Sequence, residues 1–212
     1  MSGYIGNYAL MYAVNRHIQP VQRNASGTVP SYSEDLPKMA IYATPASVST
    51  ESGVPIAEEK MLLWENRPQS YTTFNSVNTL TQLTETGRAN LPQIGRKAKH
   101  APLNNFGFFA IGGNPKGIIR LGKKQVSCRI FSSRLTIERE AVGFVRPSHA
   151  VNVLDLANVG PEDIKSAELI RQTPPLLINA NLRTRYYVCF EGQKTYYVAK
   201  PDRDKYQSVS LP

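Results

Sequence analysis

The chain has 212 residues and a mass of 23.6 kDa, with 41% apolar residues and a formal net charge of +9. This composition excludes a disordered or fibrous chain, and no run approaches the roughly 20 apolar residues of a membrane-spanning helix. Two cysteines exclude a disulfide scaffold and a four-cysteine zinc site. Because no basic region precedes an apolar run at the N-terminus, we expect a cytoplasmic protein that folds as one domain over residues 1–212.

The excess positive charge falls in one quarter of the sequence. No acidic residue occurs between Glu85 and Glu138, whereas ten basic residues lie in that window. The remainder has 15 basic and 16 acidic residues, so it is close to neutral. Because a field of single sign costs self-repulsion, its usual purpose is to bind a polyanion, most often nucleic acid. A solvated basic face without a partner is the alternative.

The N-terminal part of the sequence predicts one helix and then a long irregular segment. Apolar residues recur at helical spacing over residues 4–16, which indicates a short helix that is buried on most sides and ends near Asn15. Residues 17–60 contain five prolines, and we interpret them as an irregular insertion that is interrupted by one short strand at 39–44. Alternation over residues 71–80 predicts a further strand.

Residues 94–134, within the basic window, are predicted to be a basic segment rich in β-structure. Strands are expected at residues 106–111, 118–121 and 125–131, with a Gly-Gly-Asn-Pro turn after the first of them. In the third strand, alternation puts Val126, Cys128 and Ile130 on one face and Gln125, Ser127 and Arg129 on the other. Two further short strands are expected, at 134–137 and 142–145.

The C-terminal third completes a mixed fold. A proline and two acidic residues in a first turn predict a helix over residues 161–171. Strands are predicted at 176–179, 185–191 and 194–199, the last two forming a hairpin around Gly192. Two helices and at least seven strands predict an α+β fold, an antiparallel sheet with helices on one face. A ferredoxin-like (RRM-like) core with additional hairpins fits this pattern, and an open barrel is the alternative.

Few side chains offer catalytic chemistry. The histidines His17, His100 and His149 lie far apart, and neither Cys128 nor Cys189 has a partner at ligand spacing, so we expect no metal and no other cofactor. Both cysteines fall on apolar sides of predicted strands, which is typical of core residues.

Two features leave alternatives open. The glycine-rich residues 112–117 lack the Gly-Lys-Ser/Thr ending of a nucleotide-binding loop and precede a strand, so they indicate either a backbone approach to phosphate or a plain hairpin turn. His100 is the only histidine in the basic window. It could act as the general base of a metal-independent ribonuclease, contact nucleic acid or simply lie at the surface.

Five short motifs in a fixed order carry a family resemblance. They are Gly-Asn-Tyr-Ala-Leu at 6–10, Pro-Ser-Tyr-Ser-Glu-Asp-Leu at 30–36, Ile-Tyr-Ala-Thr-Pro-Ala at 41–46, Gln-Ile-Gly-Arg at 93–96 and Leu-Ile-Asn-Ala at 177–180. Over residues 5–190 the sequence resembles the type I-D (Csc one) member of the Cas five family, a RAMP-superfamily subunit of CRISPR effector (Cascade) complexes. This family usually has a β-strand before the first motif, whereas only five residues precede Gly6 here.

The resemblance implies a ferredoxin-like domain whose β-hairpin thumb grips the 5′ handle of the CRISPR RNA in antiviral defence. Such a subunit would cap the backbone filament and contact the large subunit near the site where target DNA enters. Guide processing in this subtype is normally assigned to a separate endoribonuclease, which implies a non-catalytic protein. We also expect no membrane partner, because no apolar run is long enough to span a bilayer. In another subtype the corresponding subunit cuts precursor RNA, so the nuclease alternative stays open, as does a structural role in another ribonucleoprotein.

We therefore expect RNA to be bound by two basic groups, through phosphate neutralisation. The first group follows Ile94-Gly95 and comprises Arg96, Lys97, Lys99 and His100. The second would line an adjoining groove or thumb and comprises Lys116, Arg120, Lys123, Lys124 and Arg129. The irregular residues 17–60 are the predicted contact with neighbouring protein subunits.

Overall fold

The computed structural model describes most of the chain outside residues 49–104. The described residues are 4–16, 32–48, 105–121, 126–157, 159–172 and 174–202, together with the backbone of 69–73 and 93–97. The chain divides into two compact units. One comprises Met1 and Met61–Asn104, and the other comprises Ser2–Lys60 and Asn105–Pro212.

The larger unit begins with short elements around one helix. These are β1 (Tyr4–Ile5), α1 (Asn7–Asn15), α2 (Tyr32–Asp35), a 3-10 turn (Leu36–Lys38), β2 (Tyr42–Ala43) and β3 (Ala46–Val48). The predicted N-terminal helix is confirmed, and it starts three residues later than residue 4 because Tyr4 and Ile5 pair with β3 as a strand. The strand predicted at 39–44 is confirmed as β2.

Helix α1 is buried almost all round, as its apolar pattern predicted. Leu10, Met11 and Val14 are each at most 2% exposed and pack in the largest core cluster. Asn15 ends the helix and fastens the next segment to it, because its side-chain amide donates to the carbonyl of Ile41 (2.7 Å) and its oxygen accepts the Ile41 N–H (2.9 Å). One asparagine thus satisfies both backbone groups of a buried residue.

The smaller unit contains an antiparallel pair in its described part. Strand β4 (Gln69–Thr73) pairs with β5 (Gln93–Lys97), with Tyr71 opposite Gly95. The strand predicted at 71–80 is therefore confirmed for its first three residues, and residues 74–80 lie outside the described part of the chain.

Four further strands of the larger unit lie in or next to the basic window. They are β6 (Phe106–Gly107), β7 (Ala110–Ile111), β8 (Gly117–Leu121) and β9 (Val126–Ile130). The single strand predicted over 106–111 is wrong: β6 joins β1 and β3 in a three-stranded sheet, while β7 pairs with β2. The chain changes sheets at Phe109, which exchanges hydrogen bonds of 2.9 Å with the backbone N–H and hydroxyl of Thr44.

A five-stranded antiparallel sheet forms the C-terminal half. Its members are β10 (Thr136–Val145), β11 (Val151–Asn152), β12 (Ile164–Ile170), β13 (Leu176–Glu191) and β14 (Lys194–Ala199), with 3-10 turns at Val153–Asp155 and Pro161–Asp163. The 16-residue β13 is central. It pairs with β10 and β11 along one edge and with β14 and β12 along the other.

Three predictions for this region are corrected. The helix predicted at 161–171 is wrong, because Pro161 and the acidic first turn form only one 3-10 turn before the chain pairs with β13 as β12. The separate strands expected at 134–137 and 142–145 are one strand, β10. Those expected at 176–179 and 185–191 are one strand, β13, because asparagine residues that resemble a turn signal form a bulge instead.

Asn179 forms that bulge. It has φ 49°, in the left-handed region, and the register with β12 shifts between Ile178 and Asn181, across this residue. Leu176 and Ile178 pack in one core cluster before the bulge, whereas Ala180 and Leu182 pack after it in a second cluster that also contains Leu177. The bulge therefore exchanges the two faces of β13 partway along its length.

The described elements amount to antiparallel sheets with α1 and the single-turn α2, so the fold is α+β with a large excess of strand. A buried carboxylate connects these parts. Asp155 is fully buried and accepts hydrogen bonds from the side-chain amide of Asn7 and from the hydroxyls of Tyr8 (3.1 Å) and Tyr42 (2.9 Å). Burial, then the charge of Asp155, raises the pKa of Tyr8 above its usual range, so this phenol stays a donor.

Removing one of these donors should destabilise the protein. We expect Tyr42→Phe to lower the free energy of unfolding by about 1.5–3 kcal/mol, because a hydrogen bond to a buried charge is lost. Tyr186→Phe is the matched control, since Tyr186 is only half-buried and its ring lies edge-on to Tyr197. Urea unfolding of both variants measures the difference, and equal losses would contradict a special role for Asp155.

The bulge makes a second prediction about stability. Asn179→Gly should be nearly neutral because glycine adopts positive φ without cost, whereas Asn179→Val should destabilise by about 1–2 kcal/mol. The side-chain amide of Asn179 also donates to Glu168 at 2.8 Å in an exposed position, where its loss should cost little. Thermal unfolding of the two variants gives the comparison. A valine variant as stable as the glycine variant would show that the bulge can rearrange.

Candidate nucleic-acid interface

The best-described part of the basic window is the β8–β9 hairpin. Its two strands alternate between a buried and an exposed face, as the sequence predicted, except that Val126 on the apolar side is 60% exposed. Ile119 is 2% exposed and lies opposite Cys128, and both contact the core cluster that contains α1. Leu121 and Ile130 pack against the same cluster. The apolar face thus fixes the hairpin on the helix.

The other face of the hairpin is cationic. Arg120 lies opposite Ser127, and Arg129 lies opposite Ile118, so the two arginines are diagonal neighbours on one exposed surface. Ile118 is 56% exposed between them. Directly opposed side chains in a sheet stand on the same face, which makes this surface a consequence of strand register.

Two more exposed side chains extend this surface at the open end of the hairpin. Lys116 and Phe131 directly flank the Gly117–Ile130 pair, and Phe131 is 84% exposed. Among the described residues, no carboxylate lies within ion-pair distance of Lys116, Arg120 or Arg129. We call Lys116, Ile118, Arg120, Arg129 and Phe131 the hairpin face. It combines unneutralised cations with an accessible aromatic ring.

The structure brings together only part of the predicted site. Lys116, Arg120 and Arg129 share the hairpin. Arg96 and Lys97 lie at the end of β5, opposite Ser70 and Gln69, in the smaller unit. Lys99, His100, Lys123 and Lys124 lie outside the described residues, so their assignment stays a prediction.

Sequence reasoning did not single out Phe131. The available signal was a phenylalanine at the end of an alternating strand, followed by Ser132 and Ser133 inside a window without acidic residues. The other aromatic residues obscured this signal, because most of those that the structure describes are at least half-buried. Only the exposure of Phe131 separates a surface ring from a core ring.

In the glycine-rich residues 112–117, two glycines lie in close contact with another part of the chain. Gly112 has φ +91°, and a Cβ there would lie 2.5 Å from the carbonyl oxygen of Ala40. A Cβ on Gly113 would lie 2.6 Å from the side chain of Ile41. The segment is also no hairpin turn, because β7 and β8 belong to different sheets. Both glycines allow close packing on residues 40–41, and a backbone approach to phosphate stays a prediction.

Of the two thiols predicted as core residues, Cys189 is buried and Cys128 is partly buried against the core. Cys189 is 4% exposed in a cluster with Phe109 and Tyr196, and Cys128 packs against the α1 cluster. Burial raises the pKa of both thiols. A raised thiol pKa reduces the fraction of thiolate, which is the nucleophilic form.

His149 is a neutral structural histidine. Its Nδ1 donates to the carbonyl of Ala150 (2.6 Å), and its Nε2 accepts the N–H of Ala199 (3.1 Å). Burial lowers its pKa to about 4, partly offset by the bond to Ala150. Both ring nitrogens are occupied, which leaves none for a metal or a substrate. Within the described ranges no group of three or more His, Cys, Asp and Glu side chains is placed to hold a metal ion.

Comparison with known families decides the relationship of the chain. The family model described as Type I-D CRISPR-associated protein Cas5/Csc1 matches residues 1–207. The chain belongs to this family. A search of curated proteins finds no match. In the part of the chain that the structure describes, no helix is long and apolar enough to cross a bilayer.

Motifs that carried the resemblance to the Cas5/Csc1 family have structural roles in this chain. Asn7 and Tyr8 of the first motif and Tyr42 of the third meet at Asp155. Asn179 of the last motif forms the bulge in β13. The motif residues named here therefore help to define the fold, whereas the hairpin face lies between the motifs in the sequence.

His149 gives a testable dependence of stability on pH. Its pKa is about 4 when folded and about 6.5 when unfolded, so the unfolded state takes up the proton first. The contribution of His149 to the free energy of unfolding should therefore be fully present above about pH 6.5. It should fall by about 2–3 kcal/mol as the pH falls towards 4. Urea unfolding of wild type and His149→Gln at about pH 7.5 and 4.5 isolates this contribution. A wild type that loses no more stability than the variant would contradict the assignment.

Proposed function

We propose that this Cas5/Csc1-family protein is a non-catalytic subunit of a type I-D CRISPR surveillance complex that binds and caps the 5′ handle of the CRISPR RNA. Its partners are the CRISPR RNA and the backbone and large subunits, with target DNA nearby, in the cytoplasm. A ferredoxin-like core with the β8–β9 hairpin as its thumb is part of the proposal. Family membership supports the CRISPR assignment.

The observation that carries the RNA-binding role is the hairpin face. Three cations without carboxylate partners stand on or beside one exposed surface, where each can neutralise a phosphate. Phe131 offers a ring on which an unpaired base can stack. The buried side of the same strands packs on α1, so the surface is rigid before RNA arrives. Preorganisation of this kind lowers the ordering cost of binding.

The endoribonuclease alternative rests on His100 alone and has weaker support. General acid–base cleavage needs a second group beside the bound phosphate. Cys128, Cys189 and His149 do not supply one, because burial raises the pKa of the thiols and His149 uses both ring nitrogens internally. Cleavage of handle-bearing RNA in EDTA that is lost in His100→Ala would favour the nuclease.

Neutralising the hairpin face should weaken RNA binding. We expect the triple variant Lys116→Gln, Arg120→Gln, Arg129→Gln to lower affinity at least about tenfold and to reduce the slope of log affinity against log salt by about 2, since each single-strand phosphate contact contributes about 0.7. Fluorescence anisotropy of the full chain with a handle-bearing RNA and a scrambled-handle RNA measures both quantities. Phe131→Leu should reduce affinity with little change in the salt slope.

The matched control removes three exposed cations elsewhere in the larger unit. Lys38→Gln, Arg139→Gln, Lys194→Gln lowers the net charge equally, and all three side chains are exposed outside the hairpin. If the control weakens binding as much as the hairpin variant, the protein is a generic basic surface. Equal affinity for the handle and scrambled RNAs, also when the chain is assembled with its partner subunits, would contradict recognition of the handle.

A further inference from the structure

A second cationic surface lies on the five-stranded sheet, outside the basic window. Arg183 and Arg185 are exposed on β13 and alternate with the buried Leu182 and Thr184. The buried pair faces the core, so the arginines stand on the opposite, open face of the sheet. Residues two apart on a strand are separated by about 6.7 Å, which sets the spacing of the two guanidinium groups.

Side chains from both neighbouring strands complete this surface. Phe144 of β10 lies opposite Arg183, and its ring is 42% exposed. Lys165 of β12 reaches across, with its ammonium 4.0 Å from the centre of that ring. Val142 lies opposite Arg185 and is 67% exposed. We call Phe144, Val142, Lys165, Arg183 and Arg185 the sheet face.

The cations of the sheet face have no acidic partners in the described part of the chain. The ion pairs found there join Arg139 to Glu138 and Lys200 to Glu140. Glu140 lies one row further along, opposite Tyr187, and Lys200 holds it at 2.7 Å. The acidic boundary of the sheet face is thus already neutralised, which leaves three cations that can bind an anion.

From this arrangement we propose that the sheet face binds single-stranded RNA, as a site separate from the hairpin face. Three cations that contact no carboxylate among the described residues match a chain of phosphates, and Arg183 and Arg185 present two of them in line along one strand. The exposed ring of Phe144 and the neighbouring Val142 match the flat apolar surface of an unpaired base. A duplex would keep its bases stacked inside and leave the ring unused, and unpaired segments are the usual state of RNA that proteins read.

An acidic protein surface is the competing occupant, and the sheet face fits it less well. Such a partner would satisfy the cations, yet it would leave Phe144 and Val142 facing polar groups. The proposal does not depend on recognition of the handle by the hairpin face.

The test uses the full chain and a fluorescein-labelled 12-nucleotide oligouridylate, which has no stable fold of its own. We expect Arg183→Gln, Arg185→Gln to weaken binding about tenfold and to reduce the salt slope by about 1.4, two single-strand phosphate contacts. Phe144→Leu should weaken binding several-fold and leave the salt slope unchanged. Photo-crosslinking of a 4-thiouridine-substituted oligouridylate should label the peptide that contains Phe144.

The matched control is Arg139→Gln, Lys194→Gln, which removes two charges from the same sheet. Arg139 lies opposite Val188 and Lys194 opposite Glu191, away from the sheet face. Unchanged circular dichroism and melting temperature show that each variant is folded. If a variant melts early, Lys165→Gln tests the same surface from an exposed position on β12.

The outcomes separate the two sites. Loss of oligouridylate binding in the sheet variant, with binding retained in the control, supports the sheet face. Equal loss in sheet variant and control overturns it, as does tighter binding of the matching single-stranded DNA. If only the triple hairpin variant loses binding, the sheet face is wrong and the hairpin face stands. If only the sheet variant loses binding, the sheet face stands and the hairpin face does not bind this RNA.

Discussion

The larger unit depends on one buried charge. Asp155 lies in the 3-10 turn after β11, and its carboxylate is reached by donors from α1 and β2, elements more than a hundred residues earlier in the sequence. A buried carboxylate is costly unless several donors satisfy it, so the turn, the helix and the strand must be in place together. Asn152 adds to the network by donating to Asn7 (3.2 Å), and the backbone N–H of Asp202 donates to the carbonyl of Asp155 (2.7 Å). The N-terminal cluster and the C-terminal sheet are therefore joined by polar contacts that specify one arrangement.

This constraint also determines how the hairpin face is presented. At its N-terminal end, helix α1 donates hydrogen bonds from Asn7 and Tyr8 to Asp155, and at its C-terminal end Asn15 binds the backbone of Ile41. Its apolar sides pack against Ile119 of β8. The hairpin is consequently supported by a helix that is itself fixed at both ends. A fixed scaffold reduces the backbone entropy that remains to be lost when RNA binds. The polar network thus fixes α1, and α1 in turn supports the strands that present the proposed RNA contacts, although these residues are far apart in the sequence.

Local patterns explain what could be predicted from the sequence. The α1 helix, the alternation of β8 and β9 and the β13–β14 hairpin around Gly192 follow from periodicity and turn chemistry, which are properties of neighbouring residues. The missed features depend on distant partners. Residues 164–170 form a strand because β13 offers an edge, although Pro161, Glu162 and Asp163 resemble a helix start. Asn179 resembles a turn residue and instead forms a bulge, because β12 pairs with β13 on both sides of it. For the candidate site, the sequence identified the cations of the hairpin and could not identify Phe131, whose exposure is set by packing.

Charge counted along the sequence and charge arranged in space give different results for this chain. Outside residues 86–137 the sequence is close to neutral, because 15 basic and 16 acidic residues nearly balance there. The sheet separates them: Glu138 and Glu140 pair with Arg139 and Lys200, whereas Arg183 and Arg185 project between buried neighbours from the middle of the sheet. Strand alternation sends one set of side chains to the core and the other to the surface, so stability and surface charge are carried by different residues of the same strand. Exposed cations on β8, β9 and β13 can therefore be exchanged for neutral residues without disturbing the core, and this separation allows binding to be tested independently of folding.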